Sequence, residues 1–372
     1  MGNPRCKICG GTTQKWGSTR AGRPRFRCLA CRASQSRRND TRARHFSAFL
    51  DFVTGKYTLA DYGPKGRTIR RRNEPFWHLW PVSPLVDEAN HVVFVDGIYL
   101  SHKLVVLIAC TKTHVLGWYV AKGETTRAWQ ALMSRIAPPD VVVCDGGQGI
   151  ASAVKTTWPT TRIQRCVFHA YSAVKRKTTT RPRTQAGVDL YSLAQALLEV
   201  TTFDQAVAWM SKLATWNTTY KEFLAQRTRL PDRRWVPTHA RLVKARRTLN
   251  RLISTGTLFA FLDPSWDRPM PAMTNRIEGA TNAPLRQMLR DHRGLSLTRR
   301  IKAIFWWCYM HTEHPLPPAQ ILKTMPTDAD IEAAYQTIHP AEIKTTSLPQ
   351  WADAITWQDL HHNTSPYTNP WD

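Results

Sequence analysis

Val92-Val93-Phe94-Val95-Asp96-Gly97 and Val141-Val142-Val143-Cys144-Asp145-Gly146 are two short apolar runs, and each closes on an aspartate followed by glycine. A valine-rich run that ends on an acid is the pattern of a buried central strand delivering one side chain to the edge of its sheet. Taken singly, either Asp-Gly pair is equally well an ordinary turn after a strand. Two such strands in one chain, with a third acid, Glu278, in a later polar segment, point instead to three carboxylates of one metal site. Carboxylate oxygens suit a hard divalent ion such as magnesium, and two such ions clamp the attacking and leaving oxygens of a phosphodiester.

Around these runs the pattern predicts strands at 91–100, 103–110 and 114–121, a helix from Glu124 to Ile136, a strand from Asp140 to Cys144, a helix from Gly149 to Thr157, and a strand from Arg162 to Cys166. The order β-β-β-α-β-α-β, a meander followed by alternating helices and strands, predicts an α/β fold with a mixed sheet of the ribonuclease H type. In that topology the first and fourth strands lie side by side, which makes neighbours of Asp96 and Asp145.

The 372 residues allow two or three domains with a substantial core. Lysine and arginine number 52 against 27 acids, a formal charge of +25, so a polyanion is the expected partner. The basic clusters, Arg67 to Arg72 and Lys175 to Arg183, lack membrane-penetrating aromatics at helical spacing, which favours nucleic acid over an anionic bilayer. No run of about 18 apolar residues occurs, and the chain opens directly into Cys6 and Cys9 without a signal-peptide core. A cytoplasmic, nucleoid-associated location with no membrane partner is therefore expected.

Without a secretion signal, the cysteines are expected to be reduced thiols. Cys6-x2-Cys9 and Cys28-x2-Cys31, 18 residues apart, have the spacing of two zinc knuckles and predict a structural zinc ribbon over residues 1–36. Cys110, Cys144 and Cys308 lie in apolar runs and read as core. Residues 37–84 begin with a polar hinge at Arg37 to Asp40, continue with an apolar-faced helix over Arg44 to Val53, and carry further short helices around the Gly63-Pro64 breaker. This segment reads as a helix-turn-helix in which Arg67, Arg70, Arg71 and Arg72 contact DNA. From Tyr171 to about Leu262 the pattern is helical with no strand signal, and Lys175 to Arg183 reads as an exposed basic loop. The resulting boundaries are 85–175 for the first part of the core, 176–264 for an all-helical insertion, 265–314 for the last part of the core with the glutamate helix, and 315–372 for a weakly patterned tail.

Asp145-Gly146-x2-Gly149, Trp158-Pro159 and Gln164-Arg165-Cys166-x2-His169 resemble the second-aspartate block of the Mutator-like transposases of bacterial insertion sequences, and Thr274-Asn275-x2-Glu278 resembles their glutamate block. The resemblance, spanning roughly residues 90 to 312, implies an Asp-Asp-Glu transposase with Asp96, Asp145 and Glu278 as catalytic ligands of two magnesium (or manganese) ions. It implies strand cleavage and strand transfer, double-stranded DNA partners (terminal inverted repeats and target), and a homodimer that pairs two ends. Cys166 and His169 would support the site, and Asn282, Arg286, Arg290 and Arg293 would contact DNA. Two features depart from the family pattern: Asn282 is offset by one residue from the usual spacing, and Pro284 is expected to kink the glutamate helix. A DNA-binding regulator without catalysis, or a nuclease that does not join strands, would keep much of the same sequence.

Overall fold

The computed structural model describes residues 3–36, 41–102 and 104–337. The expected hinge at Arg37 to Asp40 and the tail beyond residue 337 lie outside the described residues. At the N-terminal end β1 (Thr13–Ser18), β2 (Pro24–Cys28) and β3 (Ser34–Ser36) form an antiparallel sheet in that order. Only Thr13, Phe26 and Cys28 are buried along these strands, so this sheet has almost no core of its own. Two helices follow, α1 (Arg42–Thr54) and α2 (Gly66–Asn73), joined by a 3-10 turn over Ala60–Lys65. Phe46, Phe49, Leu50, Phe52 and Val53 of α1 are buried in the main hydrophobic cluster of the protein, so the segment is docked on the body of the molecule.

The central sheet comprises β4 (Val92–Ser101), β5 (Leu104–Cys110), β6 (Val115–Ala121), β7 (Val141–Cys144) and β8 (Arg162–Arg165), in spatial order β6-β5-β4-β7-β8. The β6-β5-β4 side is antiparallel, and β4, β7 and β8 run parallel. Helix α3 (Thr126–Met133) carries the chain from β6 across to β7, and α4 (Gln148–Thr157) is the crossover from β7 to β8. Alternate residues of a strand face opposite sides, and here both sides are covered. Val93, Val95, Val142 and Cys144 pack with Trp129, Leu132, Ile150 and Val154 of α3 and α4. Phe94, Ile98, Val141 and Val143 face the other cluster, which contains Ile277, Leu285, Ile304 and Trp307.

After β8 the chain leaves the sheet through α5 (Val167–Thr178), α6 (Gln185–Ala196), α7 (Phe203–Thr219), α8 (Lys221–Ala225) and α9 (Ala240–Ser254), which share a separate core around Leu190, Trp209, Leu213 and Leu249. Two points differ from the expectation for this region. Lys175 to Thr178 continue α5 as helix, leaving only the remainder of the basic stretch as loop. A small hairpin, β9 (Arg227–Arg229) with β10 (Trp235–Pro237), interrupts the helices; its strands are three residues each and largely exposed, too short for an alternating pattern to register.

The chain returns along α10 (Asn275–Ile277), a π-helical turn over Glu278–Asn282, and α11 (Ala283–Asp291), then α12 (Leu297–Met310). The expected distortion at Pro284 is this π turn: proline has no N–H to give the carbonyl four residues back, and the helix widens just ahead of it. The start of the expected tail is not patternless but folds as α13 (Pro318–Thr324) and α14 (Asp328–Thr337). Asp328 anchors it by accepting from the buried Lys302 Nζ at 2.6 Å and from Trp80 Nε1 at 2.6 Å. Lys302 would otherwise be an unpaired buried cation, and no local sequence period reveals so distant a partner. Among the described residues no helix is long and apolar enough to cross a membrane.

Candidate active site

The parallel ladder pairs Val92 with Val141, Val93 with Val142 and Phe94 with Val143. Continued two residues, the same register sets Asp96 opposite Asp145, with neighbouring strands about 4.8 Å apart. Both aspartates have the parity of Phe94 and Val143, so both project to the face that α10, α11 and α12 cover. This is how two residues 49 positions apart, the difference between 145 and 96, come to the same face of the sheet.

Asp96 is held from two sides. Its own Oδ1 accepts the Gly97 N–H at 2.9 Å, and Oδ2 accepts the side-chain amide of Asn282. Burial pushes its carboxyl up to about 6; the Gly97 N–H pulls against this, and Asp145 and Glu278 add like-charge repulsion. Asp145 accepts the Gly147 N–H at 3.1 Å. Between them Gly146 has φ +81°, and a Cβ there would also lie 2.0 Å from Arg165 Nη1, so glycine is required twice over.

Glu278 approaches by another route. The Gln164-to-His169 block forms a seam that receives the chain as it returns from the helical insertion. The fully buried Gln164 donates to the Leu258 carbonyl at 3.0 Å and accepts from Phe261 N–H at 3.0 Å. Arg165 N–H bonds Thr257 O at 2.7 Å, and Val167 N–H bonds Ala272 O at 3.0 Å. Cys166 Sγ then accepts from Thr274 N–H at 3.3 Å and lies 3.1 Å from its hydroxyl. The same hydroxyl donates to Glu278 Oε1, and His169 Nδ1 lies 3.6 Å from that oxygen. Burial raises the Cys166 thiol, but hydrogen bonds with His169 and Thr274 outweigh it and the net shift is downward. The hydrogen bond with Cys166 correspondingly raises His169, against its own burial.

The ligand atoms of Cys166, His169 and Glu278 lie within 4.8 Å of one another. In this conformation the Glu278 carboxylate is therefore turned toward Thr274 and His169, and it acts on Asp96 through space. Asn282, expected among the DNA contacts, is instead completely buried and bonded to Asp96. A π turn is what one extra residue makes of an α-helix, which accounts for its offset spacing. The other expected DNA contacts are differently disposed: Arg67, Arg70, Arg71, Arg286, Arg290 and Arg293 are exposed, whereas Arg72 is half-buried.

One acid at the site escaped the sequence reading. Glu124, expected only as the first residue of a helix, lies between β6 and α3, with Oε1 2.7 Å from where a Cβ on Gly97 would stand and its backbone carbonyl against Gly149. Burial pushes it up to about 7, with Asp145 and then Asp96 adding to the shift, while the Tyr99 hydroxyl donates to it. Its signal in the sequence is the pair of small residues, Gly97 and Gly149, that make room for it.

At the opposite end of the chain Cys6, Cys9, Cys28 and Cys31 bring their sulfurs within 4.8 Å of one another, with Cys6 to Cys31 and Cys9 to Cys28 at 3.5 Å. All four are free thiols. A tetrahedral zinc–thiolate site separates sulfurs by about 3.8 Å, so the cluster fits a zinc ion. Neighbouring thiols shift one another: the backbone N–H of Cys31 chiefly holds Cys28 down at about 6, while, against the backbone N–H of Ala33, the Cys9 and Cys6 sulfurs push Cys31 up to about 12, as expected of sulfurs this close.

A stretch of 68 residues is 34% identical to a protein of Corynebacterium diphtheriae named "Probable transposase for insertion sequence element"; it covers 17% of this chain and 20% of that protein. Residues 92–173 match the family described as MULE transposase domain. The match includes Asp96, Glu124, Asp145, Cys166 and His169 and ends before Glu278. From β4 into α5, this chain is thus similar to the Mutator-like transposases, and it spans about a fifth of the length of the relative it matches.

Proposed function

We propose that the protein is a DNA transposase in which Asp96, Asp145 and Glu278 form the metal-binding triad on a ribonuclease H-like core. The observation that carries this reading is the β4–β7 register, which continues to Asp96 opposite Asp145, where β7 ends beside the middle of β4. The donor set fits the group: these are hard oxygen ligands, and a dication would offset both the burial that chiefly raises Asp96 and the like charge of Asp145 and Glu278 that adds to it. Two bound magnesium or manganese ions would supply Lewis-acid activation of the attacking oxygen and stabilisation of the leaving 3′-oxygen.

The chain's own groups do the positioning. Asn282 and the Gly97 N–H fix Asp96, Gly147 fixes Asp145, and Thr274 orients Glu278. In the first step water adds to phosphorus and the bond to the 3′-oxygen breaks. In the second, the freed 3′-hydroxyl gives up its proton and bonds a target phosphorus as the target's own 3′-oxygen departs. The cysteine cluster would act as a zinc ribbon and the α1–α2 segment as a helix-turn-helix, together recognising terminal inverted repeats, with Arg67, Arg70 and Arg71 on phosphates and bases. Pairing of two ends requires a homodimer or larger assembly.

The test is incubation of purified protein with labelled end DNA, a target plasmid and magnesium, comparing wild type with Asp145→Ala. The reading expects cleavage and joining in wild type and neither in the variant. Equal cleavage by the variant would contradict the triad, cleavage without joining would make the protein a nuclease, and binding without cleavage would make it a regulator.

A further inference from the structure

A pocket of about 660 Å³ opens directly beside Asp145, and neither the triad nor the cysteine cluster uses it. Its floor is Gly146 and Gly147 with the first turns of α4, its wall is β8, and its roof is the C-terminal half of α9 from the helical insertion. Four cations line it: Lys155, Arg162, Arg165 and Arg251. Arg162 is neutralised by Asp263 at 2.5 Å. Arg165 is not: its Nε and Nη1 are shielded from water and have no hydrogen-bond partner among the described residues. Arg165 as a whole is half-buried, so its positive charge is felt in the pocket and an anion there lowers the cost of its two unpartnered nitrogens through space. Lys155 and Arg251 are exposed at its rim. The opening turn of α4 begins at Gln148 without a side-chain cap, so its N–H groups add to the positive end.

The remaining surface mixes aliphatic side chains, Ala151, Val154, Ile163 and Leu252, with polar ones, Gln148, Thr161, Thr248, Thr255 and Thr257. A basic rim with a partly aliphatic wall, in a volume much larger than one phosphate needs, suits the phosphate and sugar of a nucleotide. Gly146 and Gly147 belong both to the pocket and to the turn after Asp145, so the pocket begins one residue beyond that carboxylate, around the edge of the sheet on the α4 side.

We infer that this pocket holds the single-stranded flank of the cleaved DNA strand, next to the scissile phosphodiester, with Arg165, Lys155 and Arg251 on its phosphates. The inference rests on the transposase reading and gives the helical insertion a task, since α9 closes the pocket.

The test measures binding of end duplexes with and without a flank of about three unpaired nucleotides, in calcium so that no turnover occurs. Wild type is expected to prefer the flanked end by about tenfold, and in Lys155→Gln/Arg251→Gln that ratio falls to near one while the salt slope loses about two phosphate contacts. Lys155→Arg/Arg251→Lys is expected to keep the preference, which separates charge from folding. No flank preference in wild type, or an undiminished one in the glutamine pair, would overturn the inference. So would stabilisation of wild type by inorganic phosphate or a mononucleotide alone that is lost in the same pair, which would assign the pocket to a free ligand. Because the binding ratio needs no catalysis, it fails independently of the triad: Asp145→Ala that still cleaves sinks the triad whatever the ratio.

Discussion

The aspartates and the glutamate come to one place by different physical means. Asp96 lies within β4 and Asp145 just past β7, where the parallel pairing of these two buried strands stops, and their separation is set by that hydrogen-bond ladder inside a core covered on both faces. Glu278 follows an excursion of more than a hundred residues, from Cys166 to Thr274, and is held by side-chain hydrogen bonds through Gln164, Cys166 and Thr274. A ladder tolerates the loss of any one side chain, whereas a chain of single hydrogen bonds does not. The strand side should thus behave as a rigid base, and the glutamate side as an adjustable arm.

The largest effect tests the base. Asp96→Asn or Asp145→Asn should leave the melting temperature near that of wild type or above it and reduce metal-dependent cleavage at least about a thousandfold; a variant retaining a tenth of the activity would break the comparison. Next comes the arm. Thr274→Val removes the hydroxyl shared by Cys166 and Glu278 and should lower cleavage by about 10–100-fold while raising the magnesium requirement, with Thr274→Ser restoring both. A stability loss without any change in magnesium requirement would make Thr274 a plain packing residue.

Gln164→Ala leaves the Leu258 carbonyl and Phe261 N–H unpaired in a buried setting, at a cost of about 1–3 kcal/mol of stability in urea denaturation. If the arm is anchored as described, protease sensitivity should rise at 257–274 before it rises in the sheet. The smallest effect is on pH. Asp96 sits near 6 and Glu124 near 7 in the folded chain, both above their unfolded values. The folded state therefore binds more protons than the unfolded one between about pH 4 and 7, and metal-free protein should lose stability as pH rises through that window. Added magnesium should flatten the dependence; a metal-free stability that rises instead would show that these carboxylates are not crowded.

The same division explains what the sequence alone could tell. Valine runs ending in Asp-Gly encode their geometry locally, and strand order then makes the two acids neighbours. Glu278 has no such local mark, because its position depends on pairings such as Gln164 with Leu258 and Phe261 across nearly a hundred residues; only the resemblance of the Thr274-to-Glu278 block singled it out. Asn282 was expected at DNA from the family resemblance, one residue off the usual spacing, and within the π turn it is buried and bonded to Asp96. Glu124 was absorbed into a helix start, since nothing in its neighbourhood reports the glycines that receive it from other elements. The helices after Pro317 were missed because proline spacing masks their periodicity and their anchor, Asp328, pairs with Lys302 from another helix.

The central claim is that three carboxylates share metal, although Glu278 here leans toward Thr274 and His169. Manganese binding followed by electron paramagnetic resonance, on zinc-loaded protein with end DNA present, tests it most directly. The account predicts that Asp96→Asn, Asp145→Asn and Glu278→Gln each weaken manganese binding at least about tenfold while the zinc content stays unchanged. Manganese bound by Glu278→Gln as tightly as by wild type would contradict it.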